Sequence, residues 1–459
     1  MQINYEPIAR RCDFSARVAL VLLAVSLPLT TSGSEMLAGF IVVMWLATGR
    51  YRERLEFIFS NRIAVLSLTL FALFCCGISY GAASGREALH GLMKYRELLF
   101  LPVLLTLCQR PHWEWYDKSW EERWFVRWYC HRDPSGVAWR QWGIWFLVLA
   151  TLVAVAGSYV EWFVGRDIGF VAINDNVVFK DRIIQSLLVA FAVYFLAYRM
   201  LESRRWWWVY TAAIGVSLFS LFVLVPGRTG YLVLAALVGL LMWQRFRWRG
   251  LAMATAAVML LVVGAFAGSS MFRARMQQSV AQVQQYLSGT ATAAGGATPV
   301  EPRLKYYEMT WQLIRRSPIV GLGTGGFVRG YRELPNPDGL PVPAEPHNEY
   351  LAIASQIGLI GLAVWLWLLI AQWRAAQRLA IPERHFAQAL LVLMSIGCLA
   401  NSLLLGYTGG MLYAYLTALL YAGQMDSTAA IASDTSEPST VNHPALRAMS
   451  STDAMRPAA

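Results

Sequence analysis

The apolar residues of this chain come in long, nearly unbroken runs. Val18 to Leu29 and Leu251 to Ala267 are examples, and runs of about 15 to 22 residues match the length a helix needs to cross the hydrocarbon of a bilayer. Spread over 459 residues that are 57% hydrophobic, with a mean hydropathy of +0.43, the pattern excludes a soluble globular protein. A β-barrel would show alternating segments of roughly ten residues instead. The expectation is an all-α integral membrane protein.

The runs predict about twelve spans, at about 16–30, 35–48, 63–80, 92–108, 142–163, 183–198, 207–225, 230–243, 251–268, 350–371, 387–404 and 407–423. This divides the chain into nine membrane helices (1–268), a long polar loop region (269–349), three more helices (350–424) and a tail (425–459) whose Ser, Thr, Ala and Pro content predicts disorder on the cytoplasmic side. Val18 to Leu29 reads as a retained first helix rather than a cleaved signal, because further spans follow it.

With a cytoplasmic N-terminus, every short loop on the inner side is basic: Arg50, Arg52, Arg54 and Arg62; Arg199, Arg204 and Arg205; Arg245, Arg247 and Arg249; Arg374, Arg378 and Arg384. The formal charge of +11 thus follows from topology and anionic lipid, and no nucleic-acid partner is needed to explain it. The inner segment 109–141 adds further basic residues and the indoles of Trp113, Trp115, Trp120, Trp124, Trp128 and Trp139, as expected of a helix lying at the headgroups or of a partner-binding segment. The six cysteines fall in spans or on the inner side; no disulfide is expected, and no Cys/His spacing suggests zinc.

Basic residues on the outer side run against the orientation rule and call for another explanation. Arg166, Lys180 and Arg182 precede one span, and Pro226-Gly227-Arg228-Thr229-Gly230 joins two others. Arginine suits phosphate, since it is always charged and gives two parallel hydrogen bonds, although a lone arginine at a helix end also snorkels to lipid headgroups. The turn around Arg228 would expose backbone amides beside its guanidinium. The eight basic residues of the long loop carry less weight, because long loops translocate regardless of charge. Within that loop, Arg303 to Arg316 has the spacing of an amphipathic helix, with Leu304, Tyr307, Trp311 and Ile314 on one face. Gly321-Leu322-Gly323-Thr324-Gly325-Gly326 then contains G-x-G-x-x-G without the strand or βαβ unit of a dinucleotide site, leaving a flexible turn or a backbone nest for phosphate or sugar. His347 closes the polar stretch where it meets the apolar run from Leu351. An imidazole there is either interfacial filler or a base facing the same side as Arg182 and Arg228; the other outer histidine, His90, lacks such company.

His347-Asn348, nine residues, then Gly358-Leu359-Ile360-Gly361 resembles the motif of the bacterial O-antigen ligase family. Gly227-Arg228-Thr229-Gly230 and the stretch from Arg303 through Phe327 resemble regions shared by O-antigen ligases, O-antigen polymerases and protein-glycosylating relatives. The resemblance covers about Arg228 to Leu362. It implies a GT-C-like glycosyltransferase of the bacterial inner membrane with a periplasmic active site. Such an enzyme moves polysaccharide from undecaprenyl pyrophosphate to a lipid A core sugar, without nucleotide sugar, metal or other cofactor. Arg228 and Arg182, the latter aligned by position, stand where the family's membrane-proximal arginines fall. On this basis Arg228, Arg182, Lys180 and Arg303 are expected to hold the donor pyrophosphate, His347 to act as general base with inversion at the anomeric carbon, and Asn348 and Glu349 to orient the imidazole or the acceptor. A polymerase or protein O-oligosaccharyltransferase would use the same donor, while an anionic-solute transporter would account for the basic residues in another way.

Overall fold

In hydrocarbon the backbone must satisfy its own hydrogen bonds, so each apolar run folds as a helix and ends where a polar residue meets water. The computed structural model describes residues 6–109, 137–165, 177–203, 205–225, 227–287, 301–335 and 341–422. The helices are α1 (Glu6–Leu29), α2 (Thr31–Ala47), α3 (Tyr51–Ser60), α4 (Arg62–Tyr80), α5 (Gly85–Met93), α6 (Glu97–Cys108), α7 (Val137–Val164), α8 (Arg182–Glu202), α9 (Trp207–Phe219, extended by a π turn over Ser220–Leu224), α10 (Arg228–Phe246), α11 (Trp248–Gly268), α12 (Ser270–Leu287), α13 (Glu301–Arg316), α14 (Phe327–Arg332), α15 (Glu349–Ala376), α16 (Glu383–Ala400) and α17 (Tyr407–Tyr421). No strand occurs among the described residues. The Trp-rich segment 110–136, Arg166, Pro226, Cys130 and the tail from 423 lie outside them.

Caps set several starts. Asn61 accepts from the amides of Ile63 and Ala64, Asp181 from those of Ile183 and Ile184, and Asn348 from that of Leu351. Ser84 and Glu87 form a reciprocal capping box at α5.

Among the described residues, eight helices are long and apolar enough to cross a bilayer, nine if the bent pair α2–α3 forms one span, against about twelve expected from the apolar runs. The difference lies in α6, α16, α17 and, unless it is joined to α3, α2. The 12 residues of α6 and the 15 of α17 rise only about 18 and 22 Å, and α16 opens on Glu383-Arg384-His385. The short pair packs together in the interior: α17 is buried from Thr408 to Tyr421, and α6 over most of its length. An interior helix needs no apolar run as long as the bilayer is thick, because its ends meet protein. At the periphery, α11 turns Leu260 and Val263 outward and α7 exposes Phe163, the surface expected of a chain solvated by lipid.

Short links make α8, α9, α10 and α11 run alternately up and down, so the first residues of α8 and α10 share one end of the bundle with the close of α11. The chain leaves that end through α12, α13 and α14 and returns at the start of α15. Arg199, Arg245, Arg247 and Arg374 belong to the opposite end.

The start of α15 is shaped by a break in its middle. Ile357 and Gly358 leave helical geometry, with Gly358 at φ +68°. A Cβ there would collide with the Ile319 carbonyl, so only glycine serves at this point. The freed amides of Leu359 and Ile360 donate to the carbonyls of Pro318 and Ile319. Segment 317–326 wedges into that break. Its six amides from Gly321 to Gly326 all donate within the protein, to Ser317, Ser355, Gln356, Gly77, the Gln356 side chain and Gly323 in turn. This G-x-G-x-x-G stretch is therefore a docked wedge whose amides already have acceptors, neither a loose turn nor an open anion nest.

Candidate functional site

Arg228 reaches the polar end of the bundle because α8 and α10 pack at very close range. A Cβ on Gly230 would stand 2.5 Å from Ser186 Cβ, and one on Gly227 would crowd the Ser186 hydroxyl and the Arg182 carbonyl. The glycines flanking Arg228 thus let its helix start settle against the first turn of α8, which begins with Arg182. Arg228 donates to Ser279 Oγ on α12 at 2.9 Å. The charges of Arg303, Arg275 and Arg182 all act on it. Four guanidiniums carried by α8, α10, α12 and α13 therefore converge, a concentration of positive charge that suits an anion.

Arg303 sits one turn before Tyr307 on α13. Burial holds its guanidinium below the usual range; Arg182 adds to that effect, while Tyr307 and Glu345 oppose it. Arg303 donates to Asn401 Oδ1 at 3.4 Å, and Asn401 Nδ2 donates to Thr229 Oγ1 at 2.9 Å, so this buried asparagine at the end of α16 links Arg303 to the residue beside Arg228.

His347 lies on the same network. It has φ +54°, a left-handed backbone that is uncommon outside glycine. Its carbonyl accepts from the Tyr307 hydroxyl at 3.1 Å, and the same hydroxyl lies 3.1 Å from the Leu399 carbonyl. Burial pushes the Tyr307 phenol up, so it remains a donor. The imidazole is partly exposed, 6.2 Å from the Tyr306 ring between centroids, with Nδ1 at 3.4 Å from Glu345 Oε1. A carboxylate beside Nδ1 favours the tautomer that carries its hydrogen there and leaves Nε2 open as a base.

The other expected residues separate. Asn348 caps α15 and donates from Nδ2 to the Leu399 carbonyl at 3.0 Å, which fixes the backbone beside His347. Glu349 is buried and turned away, accepting from Tyr95 at 3.3 Å and from the Leu404 amide at 2.8 Å, so the carboxylate beside the imidazole is that of Glu345. Lys180 occupies a niche of its own, where Nζ donates to Thr31 at 2.6 Å and Thr408 at 3.2 Å. Burial brings its pKa down to about 8 against the pull of Asp181 and Glu35.

Arg275, Asn401, Tyr307 and Glu345 join the site without having been singled out for it from sequence. For Arg275 the sequence offered only its place among the basic residues of the long loop, and its tie to Arg228 through Ser279, at i+4 on α12, appears on folding. Asn401 offered no signal, being 172 residues from Thr229. Among the described residues no three His, Cys, Asp or Glu side chains group as metal ligands.

Chemically, the site offers a concentrated positive field to an anion and, one turn along α13 through Tyr307, an imidazole with an acidic neighbour. No curated protein matches the chain. Residues 213–366 match the model of the O-antigen ligase family, a stretch that contains Arg228, Arg275, Arg303, Glu345 and His347 but neither Arg182 nor Lys180. Over these residues, 213–366 of 459, the chain is similar to the O-antigen ligase family.

Proposed function

We infer that this protein transfers a polysaccharide from undecaprenyl pyrophosphate to a sugar hydroxyl of the lipid A core, on the periplasmic side of the bacterial inner membrane. The observation that carries the reading is the meeting of Arg182, Arg228, Arg275 and Arg303 at one bundle end, joined through Asn401 and Tyr307 to the turn bearing His347. In the reaction the acceptor hydroxyl oxygen bonds to the anomeric carbon while the bond from that carbon to the pyrophosphate oxygen breaks. The electron pair leaves on the diphosphate, where the guanidiniums stabilise it. His347 Nε2 takes the hydroxyl proton, with Glu345 steadying the imidazolium from the Nδ1 side. Attack opposite the leaving group inverts the anomeric centre. The acceptor class separates this reading from a polymerase or protein-glycosylating relative that would use the same donor.

The test is transfer from a lipid-linked glycan to lipid A core with purified protein. Product is expected with wild type, and a loss of roughly 10²-fold or more in kcat with His347→Ala. Full activity of that variant would remove the base assignment. Elongation of the lipid-linked glycan in place of core modification would assign the protein to the polymerase branch.

A further inference from the structure

Between α5, α14 and segment 344–346 lies a cavity of about 310 Å³, at the small end of ligand pockets and in the size class of a sugar residue. Its walls include Arg86, His90 and Lys94. These residues follow one another at intervals of four and so form one basic stripe along α5 and its C-cap. Arg86 and Lys94 are the fixed charges of this stripe, and Glu87, which accepts from Ser84, adds a carboxylate to the same wall. Among the described residues, none of the three basic side chains has a hydrogen bond or ion pair. Arg329 adds a guanidinium from α14, tied to the Ala82 carbonyl and 3.7 Å from Glu333.

The cavity reaches the candidate site through one residue. Glu345 is part of its wall and also places Oε1 at 3.4 Å from His347 Nδ1. Pro346, buried, also lines the cavity beside it. A ligand seated on the α5 stripe would thus reach Glu345, the carboxylate beside the imidazole.

We propose that this cavity is the acceptor pocket, and that it takes a sugar bearing a phosphoryl group, held by Arg86, Lys94 and Arg329 so that a ring hydroxyl faces His347. The assignment rests on the transfer reading above and names the chemistry of its acceptor. It can be measured without turnover, by calorimetric titration of the purified full chain in detergent with a hexose monophosphate and, separately, with the same hexose lacking phosphate. The phosphorylated sugar is expected to bind at least tenfold more tightly than the plain one. The Arg86→Ala/Lys94→Ala variant is expected to lose at least tenfold in that binding, and Arg228→Ala to retain it. Equal binding of the two sugars, or wild-type binding by the double variant, would overturn the proposal. Loss of binding in Arg228→Ala would overturn it too, because the sugar phosphate would then occupy the donor site. If the sugar phosphate binds as expected while wild type transfers nothing to any lipid A core, the cavity stands as a sugar-phosphate site and the transfer reading, with the acceptor role, falls.

Discussion

The Tyr307 hydroxyl donates to the main-chain carbonyl of His347 across 3.1 Å, and this contact ties the helix that carries Arg303 to the turn that carries the imidazole. A left-handed conformation at a non-glycine residue costs of order 1–3 kcal/mol and persists only where neighbours over-determine it. Tyr307→Phe keeps the ring and removes that restraint, with a hydrogen bond worth about 1 kcal/mol. The expected outcome in the transfer assay is a fall in kcat of roughly three- to tenfold with donor KM little changed. A KM effect without a kcat effect would place Tyr307 in donor binding instead.

Arg228 faces three other guanidiniums and donates to a neutral partner, Ser279. If its task is to hold a diphosphate, charge alone will not replace it, because the fork of donors matches adjacent phosphate oxygens and an ammonium does not. Donor binding should weaken by roughly 10²-fold in Arg228→Ala and stay well below wild type in Arg228→Lys. Titration with undecaprenyl pyrophosphate in detergent reads both. Full recovery in the lysine variant would reduce the residue to a point charge.

Lys180 makes a prediction in pH. Burial has lowered its pKa from 10.5 to about 8. The unfolded chain therefore holds this proton more tightly, and between pH 8 and 10.5 the group's contribution to stability rises with pH. Below about 8 the buried ammonium is a standing cost, only partly relieved by Thr31 and Thr408. Lys180→Met keeps the stem and removes the charge. Its Tm should exceed that of wild type at pH 7, with the gap closing as pH climbs from 8 towards 10.5. A gap that does not change with pH would show that the ammonium's cost is met within its niche.

What sequence could and could not disclose follows the range of the interactions involved. Spans such as α4, α8 and α11 were legible because hydropathy is a local property, and Arg228 because its turn is punctuated by glycines. Buried α6 and α17 are as apolar as their neighbours, so composition gave no sign that they are too short to cross alone. Arg303 stood out through the amphipathic spacing of α13, but its partner Asn401 is 98 residues away and joins it only through tertiary closure. Glu349 and Glu345 were equally near His347 in sequence. Asn348 as a cap commits Glu349 to the first turn of α15, where it is buried against Tyr95 and the Leu404 amide, and leaves Glu345 facing the imidazole.

Gly358 permits the sharpest test of how the site is held. Its positive φ and its contact with the Ile319 carbonyl leave no room for a side chain, and the break it creates is where segment 317–326 docks. That docking reaches Gly77 on α4 and, through Gln356, Tyr95 beside Glu349. Gly358→Ala must either force the alanine into the left-handed region or straighten α15 and expel the wedge, at a cost of about 1–3 kcal/mol or more. Gly39, on α2, is the control, because nothing lies within 4 Å of where its Cβ would be. In detergent Gly358→Ala should unfold several degrees below wild type and lose most transfer activity, while Gly39→Ala, which removes a mid-helix glycine, should match or exceed wild type in Tm. A Gly358→Ala protein with wild-type Tm would show that the break in α15 does not hold the wedge, and with it the turn bearing His347, in place.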